Sequence, residues 1–311
     1  MSIVLGTDTY SRVKHVISSL ARQTIADKLE LVIVASDAND VRVHSEGLSG
    51  FHTIRVVGTH SITPQSAARA LGVHASTAPF VFIAETHAFP DPDVLAKLVE
   101  VLSGEWSVGV PGFRNSNPHN GLSWAAFLSD YGAWADTLPA GEIARTPSHD
   151  VAFRRSTLME FGDRLEHALS FGDDLRLGLQ ARGHRAYFEP SAGLQHVNIN
   201  RLGPWIHERF VCGVLIGGYR AERWGLMRRL VYALASPLIP LIVLARIRRG
   251  VRDTRRRQRL PVGTYAAIVA GTILKAAGEC RGYVLGAGKS AEEDMTGFEV
   301  RKLAINAGDR S

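Results

Sequence analysis

Apolar and polar positions fall in blocks along the first hundred residues. Ser2–Leu5, Leu29–Ala35 (LELVIVA), Thr53–Val57 and Phe80–Ala84 (FVFIA) are short apolar runs, which predicts strands. Between and after them, Val13–Leu20, Ser66–Ala75 and Asp93–Leu102 place apolar residues at helical spacing. Val151–Phe153 and Ala186–Phe188 predict two more strands, with FGDDLRL and a helix ended by Arg182-Gly183 between them. Strands alternating with helices predict an α/β fold with a mixed, mainly parallel sheet flanked by helices. Such sheets bind ligands at the carboxyl ends of their strands. The polar clusters that follow strands therefore draw attention: Thr7-Asp8, Ser36-Asp37 and Glu85-Thr86-His87. Residues 112–148 are rich in Gly, Pro, Asn, Ser and Trp with little periodicity, which predicts an irregular stretch, functional or mobile.

The pattern changes after about residue 200. Leu230–Ala245 (LVYALASPLIPLIVLA) and Val262–Leu274 are strongly apolar, and the first contains Pro237 and Pro240. Each falls short of the roughly 20 apolar residues of a single span, so interfacial or re-entrant helices are expected. The chain divides into an α/β domain over 1–200, a basic, apolar helical region over 201–285 and a polar tail over 286–311.

Charge sharpens that division. The net +6 of the 311 residues is unevenly spread: residues 201–260 hold 14 Arg against Glu208, Glu222 and Asp253, a local +11, and the remainder carries −5. A cationic segment beside apolar runs points to an anionic membrane surface. Arg228-Arg229 precede the first run and Arg246, Arg248 and Arg249 follow it. With 45% apolar and 21% charged residues the chain is globular, which excludes collagen, coiled coil, mucin and wholesale disorder. Its two cysteines, Cys212 and Cys280, fit a reducing compartment and exclude a disulfide framework. MSIVLGTDTY carries no secretory signal pattern, so the cytoplasmic face of the cell membrane is the expected location.

Three places carry candidate chemistry. In FVFIAETHAFPDP, alternate residues of an extended chain share a face, so Glu85 and His87 can point into one site. A carboxylate and an imidazole suit Mn²⁺ or Mg²⁺ with a diphosphate completing the shell, the imidazole favouring Mn²⁺. Asp173-Asp174 either cap a helix or supply a general base. His196, in Gln195-His196-Val197-Asn198, is a third candidate.

The order of these pieces over roughly residues 1–200 resembles the family 2 glycosyltransferases, inverting enzymes of the Rossmann-like GT-A fold. The opening strand with Gln23-Thr24 is similar to the family's first βα unit, and LVIVASDAND to its nucleotide-base strand and turn. SAARALGVHASTAPFVFIAETHAFPDPDVL resembles the stretch from the Ala-Arg-Asn helix through the metal motif, here Glu85-Thr86-His87 rather than Asp-x-Asp. SHDVAFRRSTLMEFG resembles the acceptor-side strand, FGDDL the Glu-Asp catalytic pair, and His196 the downstream histidine. Arg220-Ala221-Glu222-Arg223-Trp224 only partly matches the Gln-x-x-Arg-Trp of processive synthases, so single-sugar transfer is expected.

The resemblance implies a nucleotide-sugar donor contacted by Thr7, Asp8, Asp37, Arg69 and Glu85, and a divalent metal held by Glu85, His87 and His196. Asp174, or Asp173, would take the acceptor's proton. Trp124, Tyr131 and Trp134 either form an acceptor wall or pack in the core. The acceptor would be a lipid-linked or other glycan hydroxyl in cell-surface or exopolysaccharide assembly. The competing expectation is a degenerate, non-catalytic membrane scaffold that binds nucleotide. Nucleic acid is not an expected partner, because no aromatic residue interleaves Arg248–Arg259. GTDTYSRVKH is a poor match to the Gly-rich, basic loop of a nucleotidyltransferase.

Overall fold

The computed structural model describes residues 1–171 and 173–308. They form two units, one from Met1–Arg114 and Pro139–Gln195, the other from Asn115–Leu138 and His196 onward. In chain order the elements begin β1 (Ser2–Thr7), α1 (Tyr10–Leu20), β2 (Glu30–Ala35), α2 (Ala38–Ser45), β3 (Thr53–Gly58), α3 (Gln65–Ala75) and β4 (Phe80–Ala84). Then come β5 (Ala88–Pro90), α4 (Val94–Ser103), β6 (Val108–Asn115), α5 (Gly121–Asp130), β7 (Gly141–Ile143), β8 (Val151–Arg154) and α6 (Arg155–Met159). The chain continues through α7 (Leu165–Ala168), α8 (Asp174–Ala181), β9 (Ala186–His196), α9 (Leu202–Ala221) and α10 (Leu226–Ala235). It ends in α11 (Ile239–Arg257), α12 (Thr264–Leu285) and α13 (Lys289–Ala307).

The first unit is built on the sheet, ordered β3-β2-β1-β4-β8-β6-β9-β5, with β7 on β9. This is the mixed sheet flanked by helices that the sequence predicts. β1, β2, β3 and β4 are parallel neighbours, and β8 runs antiparallel to β4. Every residue of β1 and β2 is buried, which is why both read as unbroken apolar runs rather than alternating ones. Register fixes what meets at the sheet edge. Thr7 pairs with Ala35, and Ala35 with Gly58, so Asp8 and Ser36 leave the sheet side by side. Leu5 pairs with Ala84, so Glu85 leaves at the same edge. Ile83 pairs with Val151 of the antiparallel β8, so the residues just before β8, His149 and Asp150, reach that edge as well.

The second unit is helical. Residues 112–148, expected to be irregular, hold the end of β6 and β7, both of the first unit, and the buried helix α5 of this one. In α5, Ser123 to Leu128 are all buried, and a helix apolar on every side shows no period. Asn120 caps it, its Oδ1 accepting from the Leu122 and Ser123 amides. α9 and α12 approach backbone to backbone through glycines. A Cβ on Gly213 would lie 2.0 Å from the Lys275 carbonyl oxygen, and one on Gly217 2.4 Å from that of Glu279. Gly213-x-x-x-Gly217 is a small-xxx-small spacing, which lets helix backbones come close. Partners rise together along both helices, so α9 and α12 run parallel.

Four charged groups lie across the seam. Arg209 Nη1 is 2.6 Å from Asp130, its Nε is 2.6 Å from Glu208, and Lys275 Nζ is 3.3 Å from Asp130. Burial opposes ionisation of Asp130, but Arg209 and Lys275 outweigh it and hold the carboxyl well below its usual range. Burial pushes the neighbouring Cys212 thiol up to about 11.

The helical run Leu226–Arg257 is long and apolar enough to cross a membrane by length and composition. Only 17% of its apolar window is buried, and Met227, Leu234 and Leu241 are among its exposed side chains. The segment expected as a polar tail is largely the helix α13.

Candidate functional site

The site belongs to the first unit and starts where β4 ends. Glu85, His87 and Arg69 are buried there, and Glu85 and His87, two residues apart, lie side by side. Arg69 projects from α3 and donates from Nη2 to Glu85 Oε1 at 3.2 Å. His87 Nε2 lies 3.3 Å from Glu85 Oε2. Two residues that the sequence reading passed over complete the cluster. His149 Nδ1 lies 3.2 Å from Glu85 Oε1, and Asp150 Oδ1 accepts from the Glu85 amide at 3.1 Å.

Asp150 holds the left-handed backbone conformation, φ +53°, the only such non-glycine among the described residues. Asp tolerates this conformation better than most residues, yet it remains costly, and such strain gathers at functional sites. Its amide is anchored to the Ile83 carbonyl. The strained turn thereby aims a carboxylate at Glu85. Burial, and then the charge of Glu85, push the Asp150 carboxyl well above its usual range. Asp150 Oδ2 is buried without a hydrogen-bond partner among the described residues.

Glu85, His149 and Asp150 form a group that could hold a metal ion, their donor atoms lying within 4.8 Å of one another. Two carboxylates and an imidazole make a donor set for a hard or borderline divalent cation, with Mn²⁺ better matched than Mg²⁺. A cation would also offset the repulsion between Glu85 and Asp150 and meet Oδ2, which has His149 Nδ1 at 4.0 Å but no hydrogen bond among the described residues. The residues fit the group.

The expected donor-side residues gather at the neighbouring strand ends. The Ser36 amide donates to the Thr7 carbonyl at 3.3 Å, and the Asp37 amide to the Asp8 carbonyl at 3.1 Å. The side chains of this rim are partly engaged. Asp8 Oδ1 accepts from the Thr9 amide, and Asp37 caps α2 by accepting from the Asp40 amide. Asp40, unremarked in the sequence, accepts from the Tyr10 amide at 2.7 Å. Gln23 is structural: its amide group bridges the Asp91 carbonyl and the Leu95 amide.

Asp173 and Asp174 open α8, and the preceding Gly172 lies outside the described residues. Asp173, the N-cap residue, makes no side-chain cap hydrogen bond. His167 Nε2 lies 2.6 Å from Asp174 Oδ2, and Arg164 3.7 Å from the same oxygen. Asp173 instead meets Arg176 at 3.5 Å. His167 and Arg164 thus lie at Asp174 and Arg176 at Asp173, and His167 is not among the residues the sequence patterns single out.

The remaining candidates belong to the second unit. His196 Nδ1 is 3.1 Å from Asn198 Oδ1, and its ring lies 4.1 Å from that of Tyr131. Trp124 is 3% exposed, donates from Nε1 to the Pro118 carbonyl and meets Phe127 edge-on. Its ring is therefore a core ring, with no face open to a sugar. Trp134 is half-buried.

No protein-family model and no curated protein matches this chain. Among solved structures it is similar to S. aureus TarS 1–349 in complex with UDP, at 11% identity and TM-score 0.47, over 90% of this chain and 89% of that one. It is also similar to the mannosyltransferase PcManGT from Pyrobaculum calidifontis in complex with GDP-Man and Mn²⁺, at 17% identity and TM-score 0.48, over 100% and 87%. A likeness this distant bears on no residue's role.

Proposed function

We propose that this chain is a metal-dependent glycosyltransferase that moves one sugar from a nucleoside diphosphate sugar to an acceptor hydroxyl with inversion. The observation that carries the reading is the buried Glu85–His149–Asp150 group at the carboxyl edge of the sheet, with Arg69 and His87 against Glu85. Residues at the ends of β1 and β2, namely Thr7, Asp8 and Asp37, would contact the base and ribose.

Glu85, His149 and Asp150, with His87 beside Glu85, would hold the divalent metal. When bound, that metal offsets charge on the departing diphosphate. Arg69 adds a fixed positive charge at the same edge. Asp174 is the proposed general base, with His167 Nε2 2.6 Å from one of its oxygens. The acceptor hydroxyl oxygen bonds to the anomeric carbon, the bond from that carbon to the diphosphate oxygen breaks, and the hydroxyl proton passes to Asp174. One displacement inverts the configuration. The apolar, arginine-rich helices of the second unit would hold the enzyme at the anionic cytoplasmic leaflet, with a lipid-linked acceptor for cell-surface glycan assembly.

A thermal-shift panel of UDP, GDP, CDP and dTDP, each with and without Mn²⁺, tests the reading. A ligand at about 100 times its Kd adds roughly 2.7 kcal/mol to the folded state. The expected result is a metal-dependent shift for one nucleotide; the absence of any shift overturns the proposal. Asp174→Asn should keep that shift and lose transfer. Transfer within about twofold of the parent chain, well short of the typical loss of a general base, would remove Asp174 from the role.

A further inference from the structure

A cleft of about 560 Å³ lies between α11 and α12, within the second unit, and shares no residue with the proposed catalytic and metal groups. Leu244, Ile247, Arg248, Val251, Arg252 and Arg255 line it from α11 at helical spacing, so one face of that helix turns from apolar to basic along its length. Ile247 and Ile268, at 6% and 3% exposure, make its floor. Arg248, Arg255 and Arg256 stand on its wall and are exposed.

The charge on that wall is uncompensated. Asp253 takes up Arg249 at 3.8 Å and Arg252 at 3.4 Å, and Arg257 donates to the Thr137 carbonyl. Among the described residues, Arg248, Arg255 and Arg256 have no ion-pair partner. Next to the cleft, α12 and the turn before it expose Val262, Tyr265, Val269 and Ile273, which recur every three or four residues. An occupant must then satisfy two demands at once: apolar chain for the floor, and an anion matched to guanidinium forks for the wall.

We propose that this cleft binds a single phosphate-bearing lipid, its hydrocarbon on Ile247, Val251 and Ile268 and its phosphate on Arg248, Arg255 and Arg256. A phosphate alone leaves the apolar floor unused, and a neutral lipid leaves three guanidinium groups unpaired. The exposed stripe on α12 is the surface along which the rest of a leaflet would lie. This site does not depend on the transferase reading, and a chain that binds no nucleotide would still have it.

The test is a calorimetric titration of the whole chain with dihexanoyl phosphatidic acid below its micelle concentration, beside glycerol 3-phosphate and dihexanoyl phosphatidylcholine. The expected result is saturable binding of one phosphatidic acid per chain, at least about tenfold tighter than either comparison ligand. The variant Arg248→Gln/Arg255→Gln/Arg256→Gln should lose about tenfold in affinity or more, while Arg246→Gln/Arg249→Gln, off the cleft, keeps it within about twofold. Val269→Trp, at an exposed position on the cleft, should weaken binding with every arginine in place, and circular dichroism checks that each variant is folded. Three results overturn the proposal: no saturable binding, glycerol 3-phosphate binding as tightly as the lipid, or equal losses from the two arginine variants.

Discussion

Both units bury carboxylates among cations, and they balance them differently. In the helical unit, Asp130 and Glu208 face Arg209 and Lys275, two charges against two. In the sheet unit, Glu85 meets Arg69, His87 and His149, and Asp150 lies against Glu85 and His149, so two carboxylates sit side by side. The consequence appears in the acids themselves. Asp130 is held ionised by its cations, whereas burial and Glu85 drive Asp150 toward the protonated form. A balanced cluster joins helices. In the strained turn, the proposed divalent metal would offset the repulsion between Glu85 and Asp150.

The comparison breaks most visibly at Arg209. Arg209→Met strands Glu208 and half of what Asp130 leans on, at a cost of about 3–5 kcal/mol of unfolding free energy in a denaturant titration. A cost under about 1 kcal/mol would mean that the cluster is not a buried charge network. Asp130→Asn should cost less, about 2 kcal/mol, because that side chain is 23% exposed and partly screened. It also carries a pH signature. The folded pKa of Asp130 lies below the unfolded value, so its stabilisation is complete above about pH 4 and is lost as pH falls through the acid range. The parent chain should lose stability on acidification more steeply than Asp130→Asn, and parallel acid limbs would contradict the assignment.

The same isosteric change at Asp150 should run the other way. Asp150→Asn relieves repulsion with Glu85, keeps an acceptor for the Glu85 amide and suits a positive φ. A gain of up to about 1 kcal/mol at neutral pH is expected, together with loss of Mn²⁺-dependent nucleotide binding. A loss of stability with Mn²⁺ binding intact would make the two clusters alike after all.

Much of the sheet was legible because β1, β2 and β4 are buried on both faces, and continuous apolar runs survive without an alignment. The strand-end rule found Glu85 and His87 for the same reason. It missed His149 and Asp150 because it looks only past the carboxyl ends of strands. β8 runs against β4, so its amino end shares that edge, and strand direction is not written in SHDVAF. His167 was hidden in a four-residue helix whose partner lies seven positions on. Helix α5 was hidden by its uniform apolarity, and the joining of 115–138 to the C-terminal unit is a long-range fact that no local pattern carries. The glycines of α9 and α12 were visible singly, but their purpose appears only when the helices face each other.

That facing has a topological consequence. Two parallel helices cannot be joined by a tight turn, because the chain leaves the top of one and must re-enter at the bottom of the other. Between Ala221 and Thr264 the chain has to travel back the length of the seam, and α11, with 19 residues, covers about 28 Å of that distance. The arginine-rich helix is therefore a measured crossover. Removing one turn would leave it about 5.4 Å short, and the glycine seam would have to slip out of register to close the gap.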